Sequence, residues 1–145
     1  MKVAFDLDGT LFGVNSKRLV GIYNSLLESG AEVGILTGRT PLYRNSSMET
    51  LKRIGINHWD FWYDSEYMRP SELVLITMDI MAMKPDMREA VHKYKARMIR
   101  EMSIDRHYDD ETRWIILYDP SLPIVDVTSW GGEPGVNIIH YGTEW

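Results

Sequence analysis

Two aspartates, Asp6 and Asp8, stand one residue apart at the end of an apolar stretch, in the sequence FDLDGTLF of residues 5–12. An extended chain directs alternate side chains to opposite faces, so both carboxylates are expected on the same side. Two like charges held together in a cleft either raise the pKa of one carboxylate or require a cation nearby. The pair therefore predicts a site that contains compensating positive charge.

The composition fits one globular domain spanning residues 1–145, with 44% hydrophobic and 26% charged residues. No apolar run approaches the roughly 18 residues of a membrane span, and the charged start does not fit a signal peptide, so we expect a cytoplasmic protein without membrane contact. The chain has no cysteine, which excludes disulfides, thiolate zinc sites and cysteine nucleophiles. Its net charge of -5 argues against broad binding to a nucleic-acid backbone.

Apolar runs alternate with helical patterns along the chain, which is typical of an α/β fold. Strands are predicted at 2–8, 31–37, 56–64, 103–108 and 124–128, and helices at 15–29, 41–54 and 86–101. Two segments fit either element: 72–83 is largely apolar, and 112–118 combines a strand-like composition with an acidic helix start. Residues 131–145 are expected to form a loop or an edge hairpin.

Four short polar motifs follow predicted strands or open a helix: DLDGT at 6–10, TGR at 37–39, KPD at 84–86 and DD at 109–110. Parallel strands end at one edge of a sheet, so these motifs are expected to converge in one crevice. Carboxylate oxygens suit Mg²⁺, which binds one or two carboxylates together with phosphate oxygens. Such a crevice predicts chemistry on a phosphorylated substrate.

Each motif then has a chemical role. With a metal present, Asp6 can stay ionised and attack phosphorus, while Asp8 can give a proton to the leaving oxygen and later take one from water. Thr37, the Gly38 amide and Lys84 can bind the negative phosphoryl oxygens. If Lys84 does not fill this place, Lys93 or Lys95 is the alternative.

In this order the four motifs resemble those of the haloacid dehalogenase (HAD) superfamily of phosphohydrolases, over about residues 2–128. The resemblance implies a Rossmann-like three-layer α/β/α sandwich with a parallel sheet, little or no cap, and a helix at 112–118. It implies that Asp6 is the nucleophile, that Asp8 is the general acid and base, and that Thr37 and Lys84 bind the phosphoryl group. The Mg²⁺ ligands that it implies come from the first and fourth motifs: Asp6, the backbone carbonyl of Asp8, Asp109 and Asp110, with Asp109 in direct contact.

A finer resemblance concerns substrate. The TGR motif, the YMRP at 67–70 and the DDETR at 109–113 are similar to the 3′-phosphatase domain of phage-type polynucleotide kinases. This implies a nucleic-acid 3′ end or a nucleotide as substrate, with Gly38, Arg39 and Arg69 as binding residues. Further candidates are arginines for additional phosphates and aromatic residues for base stacking: Arg44, Arg113, Tyr43, Trp62 and Tyr67.

Other functions remain open from the sequence. They are a HAD phosphatase of another substrate, such as a nucleotidase or a phosphoprotein phosphatase, and a non-catalytic binding module. The four histidines show no ligand spacing and are assigned to surface or satisfied core positions: His58, His92, His107 and His140.

Overall fold

A five-stranded parallel sheet organises the part of the protein that the structure describes. The computed structural model describes residues 1–74 and 88–130. Their five strands are β1 (Lys2–Phe5), β2 (Glu32–Leu36), β3 (Trp62–Tyr63), β4 (Arg106–Asp109) and β5 (Ile124–Asp126), in the spatial order β3-β2-β1-β4-β5. Every pairing is parallel. The predicted α/β class with a parallel sheet is confirmed.

Helices connect these strands. They are α1 (Ser16–Glu28), α2 (Arg44–Ile54), α3 (Arg88–Glu101) and α4 (Thr112–Ile115), with short 3₁₀ turns at Pro41–Tyr43, Ser65–Tyr67 and Val127–Trp130. The residues at 112–118, for which the sequence left two choices, begin as helix, although only four residues are helical. Residues 70–74 are also helical.

The strand predicted at 56–64 is the largest discrepancy, because only Trp62 and Tyr63 form β3. Just before it, Asp60 is tied to β2 partly through its side chain, which accepts a hydrogen bond of 2.8 Å from the backbone N–H of Val33. That side-chain bond occupies a donor that a longer ladder would use. Aromatic composition therefore overstated the length of this strand.

The core lies on both faces of the sheet. Alternation along β1 places Val3 and Phe5 in one buried cluster, which includes Leu19 and Tyr23 of α1. The residue between them, Ala4, belongs to a second cluster with Tyr94 and Met98 of α3. Burial of both faces explains why β1 and β2 have nearly continuous apolar sequences.

Some predictions fall on residues outside the described ranges. These are Lys84, the start of the helix at 86–101, most of 72–83, and 131–145. Between the first two motifs, turns, α1 and β2 account for residues 11–36. Across the described ranges, no helix is long and apolar enough to span a bilayer.

Candidate functional site

Three carboxylates meet where β1 and β4 end. Asp6 directly follows β1, and its backbone N–H donates to the carbonyl of Tyr108 on β4 at 3.0 Å. Asp6, Asp109 and Asp110 each offer one carboxylate oxygen, and these oxygens lie within 4.8 Å of one another. The side chain of Asp109 is fully buried and that of Asp6 nearly so. The parallel sheet thus brings the first and fourth motifs together.

A buried lysine joins two of these acids. The Nζ of Lys95, in the middle of α3, donates to Asp6 Oδ1 and to Asp109 Oδ2, each at 2.8 Å. Its side chain is only 4% exposed, so the ammonium belongs to the cluster rather than to the surface. Lys84 lies outside the described residues, and Lys95, one of the two alternatives, is the lysine found at this position.

The cluster carries strong electrostatic coupling. Burial raises the pKa of Asp6 well above 3.8, and the Asp109 charge adds to this effect. Burial also raises the pKa of Asp110 to about 6, again with a contribution from Asp109. Burial opposes the charged form of Asp109 too, but Lys95 and His107 outweigh it and hold the pKa of Asp109 below its ordinary value. Lys95 alone therefore does not neutralise the three acids.

The loop after β1 is closed tightly around the acids. Backbone N–H groups of Thr10 and Phe12 both donate to the carbonyl of Leu7, at 3.1 and 2.8 Å. The Thr10 hydroxyl donates to Asp6 Oδ2 at 3.1 Å. Gly9 has a φ of +77°, and a Cβ there would collide with the Asp110 carboxylate. Glycine is required at this position both for its backbone conformation and for the close approach of Asp110.

Asp8 pairs with a different basic side chain. Its two carboxylate oxygens accept hydrogen bonds from Arg39, from Nε at 2.9 Å and from Nη2 at 2.6 Å. The Asp8 side chain is 29% exposed, whereas that of Arg39 is 2% exposed. The compensating charge predicted for the two aspartates is thus supplied by two residues, Lys95 for Asp6 and Arg39 for Asp8. The side chain of Asp8 is not part of the acid cluster.

Thr37 and Gly38 follow β2, the neighbour of β1, and both are buried. The Thr37 backbone N–H donates to the carbonyl of Tyr63 at 2.9 Å, and its hydroxyl oxygen accepts from the Arg39 N–H at 3.1 Å. Because β1 and β2 are parallel and adjacent, these residues stand at the same edge of the sheet as Asp6. The second motif is therefore placed as predicted.

Arg69 is not brought to this edge. It forms an ion pair of 2.7 Å with Glu101, the last residue of α3. From there the chain reaches Asp105, whose carboxylate accepts from the Lys2 N–H at the beginning of β1. Arg69 thus lies toward the opposite end of the sheet. The expected role of Arg69 in substrate binding finds no support in its position.

Among the other arginines and aromatic residues predicted to contact substrate, Arg44 and Trp62 already bind partners within the protein. Arg44 pairs with Asp64 at 2.7 Å and with Glu66 at 2.8 Å. Trp62 donates from Nε1 to the same Asp64 carboxylate at 3.1 Å. Tyr67 is 43% exposed, and its ring packs edge-on against that of Tyr63, with 5.1 Å between the ring centroids.

The sequence did not indicate His107 as a residue of the site. Its ring is fully buried on β4, and Nε2 lies 2.8 Å from Asp109 Oδ2. Burial lowers the pKa of His107, so a neutral ring donates its Nε2 proton to the carboxylate. The sequence signal that could have indicated this contact is the spacing of His107 and Asp109, since residues two apart on a strand share a face. This contact accounts for the burial of a polar ring on β4.

No family model matches the chain, and no curated protein and no solved structure matches it either. What this edge of the sheet can do must therefore follow from its own residues: three clustered carboxylates, a buried lysine that bridges two of them, and a separate aspartate held by a buried arginine.

Proposed function

We propose that this chain is a Mg²⁺-dependent phosphomonoester hydrolase of the HAD type, with the three-layer fold of that superfamily, and that it acts through an aspartyl-phosphate on Asp6. The observation that carries the proposal is the position of Lys95 between Asp6 and Asp109, within the cluster that includes Asp110. A carboxylate nucleophile, a cation for phosphoryl oxygens and a set of metal ligands are thereby close together.

The donor set fits Mg²⁺. Only carboxylate oxygens contribute to the cluster, and hard divalent cations prefer such ligands. Three carboxylates around one ammonium also leave an excess of negative charge among these residues. Asp6, Asp109 and Asp110 would hold the ion, and the resemblance adds the carbonyl of Asp8. A bound Mg²⁺ ion supplies charge that keeps Asp6 ionised and offsets the charge on the phosphoryl oxygens.

In the first step a carboxylate oxygen of Asp6 attacks the phosphorus atom and forms an oxygen–phosphorus bond. The bond from phosphorus to the leaving oxygen breaks, and this oxygen keeps the electron pair and receives a proton from Asp8. Meanwhile the Lys95 ammonium, the Thr37 hydroxyl and the Gly38 N–H donate to the phosphoryl oxygens. The product alcohol then leaves.

In the second step water attacks the phosphorus atom of the aspartyl-phosphate. Asp8, now a carboxylate, takes a proton from this water, and the bond between phosphorus and Asp6 breaks. The Asp6 carboxylate is restored and inorganic phosphate is released. Both steps depend on Asp8, first as acid and then as base.

The proposed substrate is a nucleic-acid 3′-phosphate end or a nucleotide. This finer proposal is supported by the similarity of the second and fourth motifs to phage-type 3′-phosphatase domains. The absence of an insertion between the first two motifs is compatible with a large substrate. The net charge of -5 favours a short end or a free nucleotide over a long polynucleotide.

The test is phosphate release with Mg²⁺ and with a chelator, from four substrates: a 3′-phosphorylated oligonucleotide, a 5′-phosphorylated one, nucleoside monophosphates and an aryl phosphate. We expect Mg²⁺-dependent release that is fastest from the 3′ end or the nucleotides. Asp6→Asn should abolish it without lowering the melting temperature, since it preserves the shape of the side chain. Turnover by Asp6→Asn at the wild-type rate would refute the proposed nucleophile. Magnesium binding without turnover of any substrate would indicate a binding module.

A further inference from the structure

We infer, resting on the phosphatase function proposed above, that Arg39 is a positioning residue for Asp8: it orients the Asp8 carboxylate for proton transfer to the leaving group and does not bind substrate. The sequence had suggested a substrate contact for this arginine. Its geometry points to the acid and base of the reaction instead.

The guanidinium of Arg39 is held from three sides. Nε and Nη2 face the two oxygens of Asp8 as a fork, while Nη1 donates to the hydroxyl oxygen of Ser47 at 3.0 Å. That hydroxyl in turn donates to the carbonyl of Tyr43 at 2.6 Å. The ring of Phe12 covers the guanidinium, with 5.2 Å between the Cζ atom and the ring centroid. The Arg39 side chain is therefore held in one orientation at the sheet edge.

Asp8, by contrast, lies on a loop. It stands beyond the end of β1, next to Gly9, and it is partly exposed. A carboxylate that transfers protons must be held in a defined direction for both steps. The planar fork of an arginine fixes the plane of a carboxylate, which the single ammonium of a lysine does not. The backbone hydrogen bonds of the loop fix the position of Asp8, and Arg39 fixes the direction of its carboxylate.

A substrate role would conflict with these contacts. The Arg39 side chain is 2% exposed, and the edge of the fork that suits a phosphoryl group is occupied by Asp8. To reach this edge, a phosphoryl group would have to displace the residue that protonates its leaving oxygen. The two roles therefore exclude each other and predict different kinetics.

The kinetic difference lies in the leaving group. An alkyl phosphate, such as a nucleoside 3′-monophosphate, needs a proton on its leaving oxygen, whereas a 4-nitrophenyl phosphate hardly does. General acid catalysis contributes about 10²–10⁴-fold. Arg39→Gln should therefore reduce kcat/KM for the alkyl substrate by about 10²-fold or more, and that for the aryl substrate by less than about tenfold. A general loss of structure would lower both values equally.

A second readout uses the aryl substrate. In Arg39→Gln the first step remains fast with this leaving group, but the attack of water on the aspartyl-phosphate still needs Asp8 as a base. We expect a burst of nitrophenol close to the enzyme concentration, followed by slow turnover. A third readout is coupling: in an Asp8→Asn background, Arg39→Gln should add little further loss, because Arg39 acts through Asp8.

The controls separate folding from function. Arg53→Gln changes an exposed arginine on α2, the helix that carries Ser47, and should match wild type. If Arg39→Gln does not fold, Ser47→Ala loosens the same guanidinium, and it should show the same leaving-group bias to a smaller degree. Equal losses for both substrates, or a raised KM with unchanged kcat, would overturn the inference while leaving the phosphatase function intact. A wild-type enzyme inactive on both substrates would instead refute the proposed function, and the inference with it.

Discussion

Replacing Lys95 by methionine should destabilise the metal-free protein in a way that depends on pH. The substitution removes one ammonium that donates to two buried carboxylates, Asp6 and Asp109, at 2.8 Å each. Removing one partner of a buried ion pair costs about 3–5 kcal/mol, because the remaining charge is left uncompensated. For a chain of this length that corresponds to a drop in melting temperature on the order of 10 °C. Methionine retains most of the side-chain volume, so the loss reports charge rather than packing.

The pH dependence of this loss has a definite sign. Without Lys95 the buried carboxylates have pKa values above those of the unfolded chain, so the folded state binds more protons than the unfolded state. Stability then rises as pH falls, and the deficit of Lys95→Met should shrink between about pH 7.5 and about pH 5.5. In the wild type, the stability that Lys95 gives by lowering the pKa of Asp109 is present above the ordinary Asp value and is lost only below it.

Urea unfolding in the presence of a chelator at both pH values measures the difference in unfolding free energy between Lys95→Met and the wild type. Lys93→Met, on the same helix, is the matched control. Lys93→Met should remain close to wild type at both values. A deficit that is equal at the two pH values, or a control as unstable as Lys95→Met, would refute the electrostatic account of the cluster. Added Mg²⁺ should raise the melting temperature of Lys95→Met by more than that of the wild type, because the cluster has lost one positive charge.

Two further substitutions test Asp110, the third acid of the cluster, and His107, which contacts Asp109. Asp110→Asn should stabilise the chelated protein by about 2 kcal/mol near neutral pH, since burial raises the pKa of Asp110 to about 6 and its charge is unfavourable above that pH. The same variant should lose most of the melting-temperature increase caused by Mg²⁺. An unchanged increase would exclude Asp110 as a ligand. His107→Phe removes the hydrogen bond that orients Asp109, so we expect Mg²⁺ affinity, measured by calorimetry, to weaken by about 10–100-fold. Wild-type affinity in a folded His107→Phe protein would show that the ring only fills space.

Local patterns predicted most of the sheet because its strands are short and followed by polar residues, and because all of them except β4, which contains Arg106 and His107, are largely apolar. The same patterns could not set the ends of the elements, since these depend on contacts between segments. β3 is the clearest case: its aromatic residues favour a strand, but the side chain of Asp60 takes the N–H of Val33 and the ladder begins only at Trp62. The helix after Asp110 likewise begins with contacts that composition does not show, since the Glu111 N–H donates to Oδ1 of Asp109 and the Thr112 hydroxyl donates to the Asp109 carbonyl.

The acids of the candidate site could be predicted because their motifs end parallel strands. Which basic residue pairs with each acid could not be predicted, because a hydrogen bond between distant segments leaves no fixed spacing in the sequence. Lys95 lies on a helix with two other basic residues within two positions, and only the packing of α3 directs this one to Asp6. Arg39 was correctly placed at the sheet edge, yet whether it faces substrate or Asp8 depends on Ser47 and Phe12, from separate segments.

The most direct test of the central claim is to find the phosphoryl group on the enzyme. Wild-type protein is mixed with a phosphate-labelled substrate and Mg²⁺, quenched in acid during the first turnover, and digested, and the labelled peptide is identified by mass spectrometry. The account predicts that the label is on Asp6, that a chelator prevents it, and that Asp6→Asn carries none. A label on another residue, or turnover without any labelled enzyme, would contradict an aspartyl-phosphate mechanism at this site.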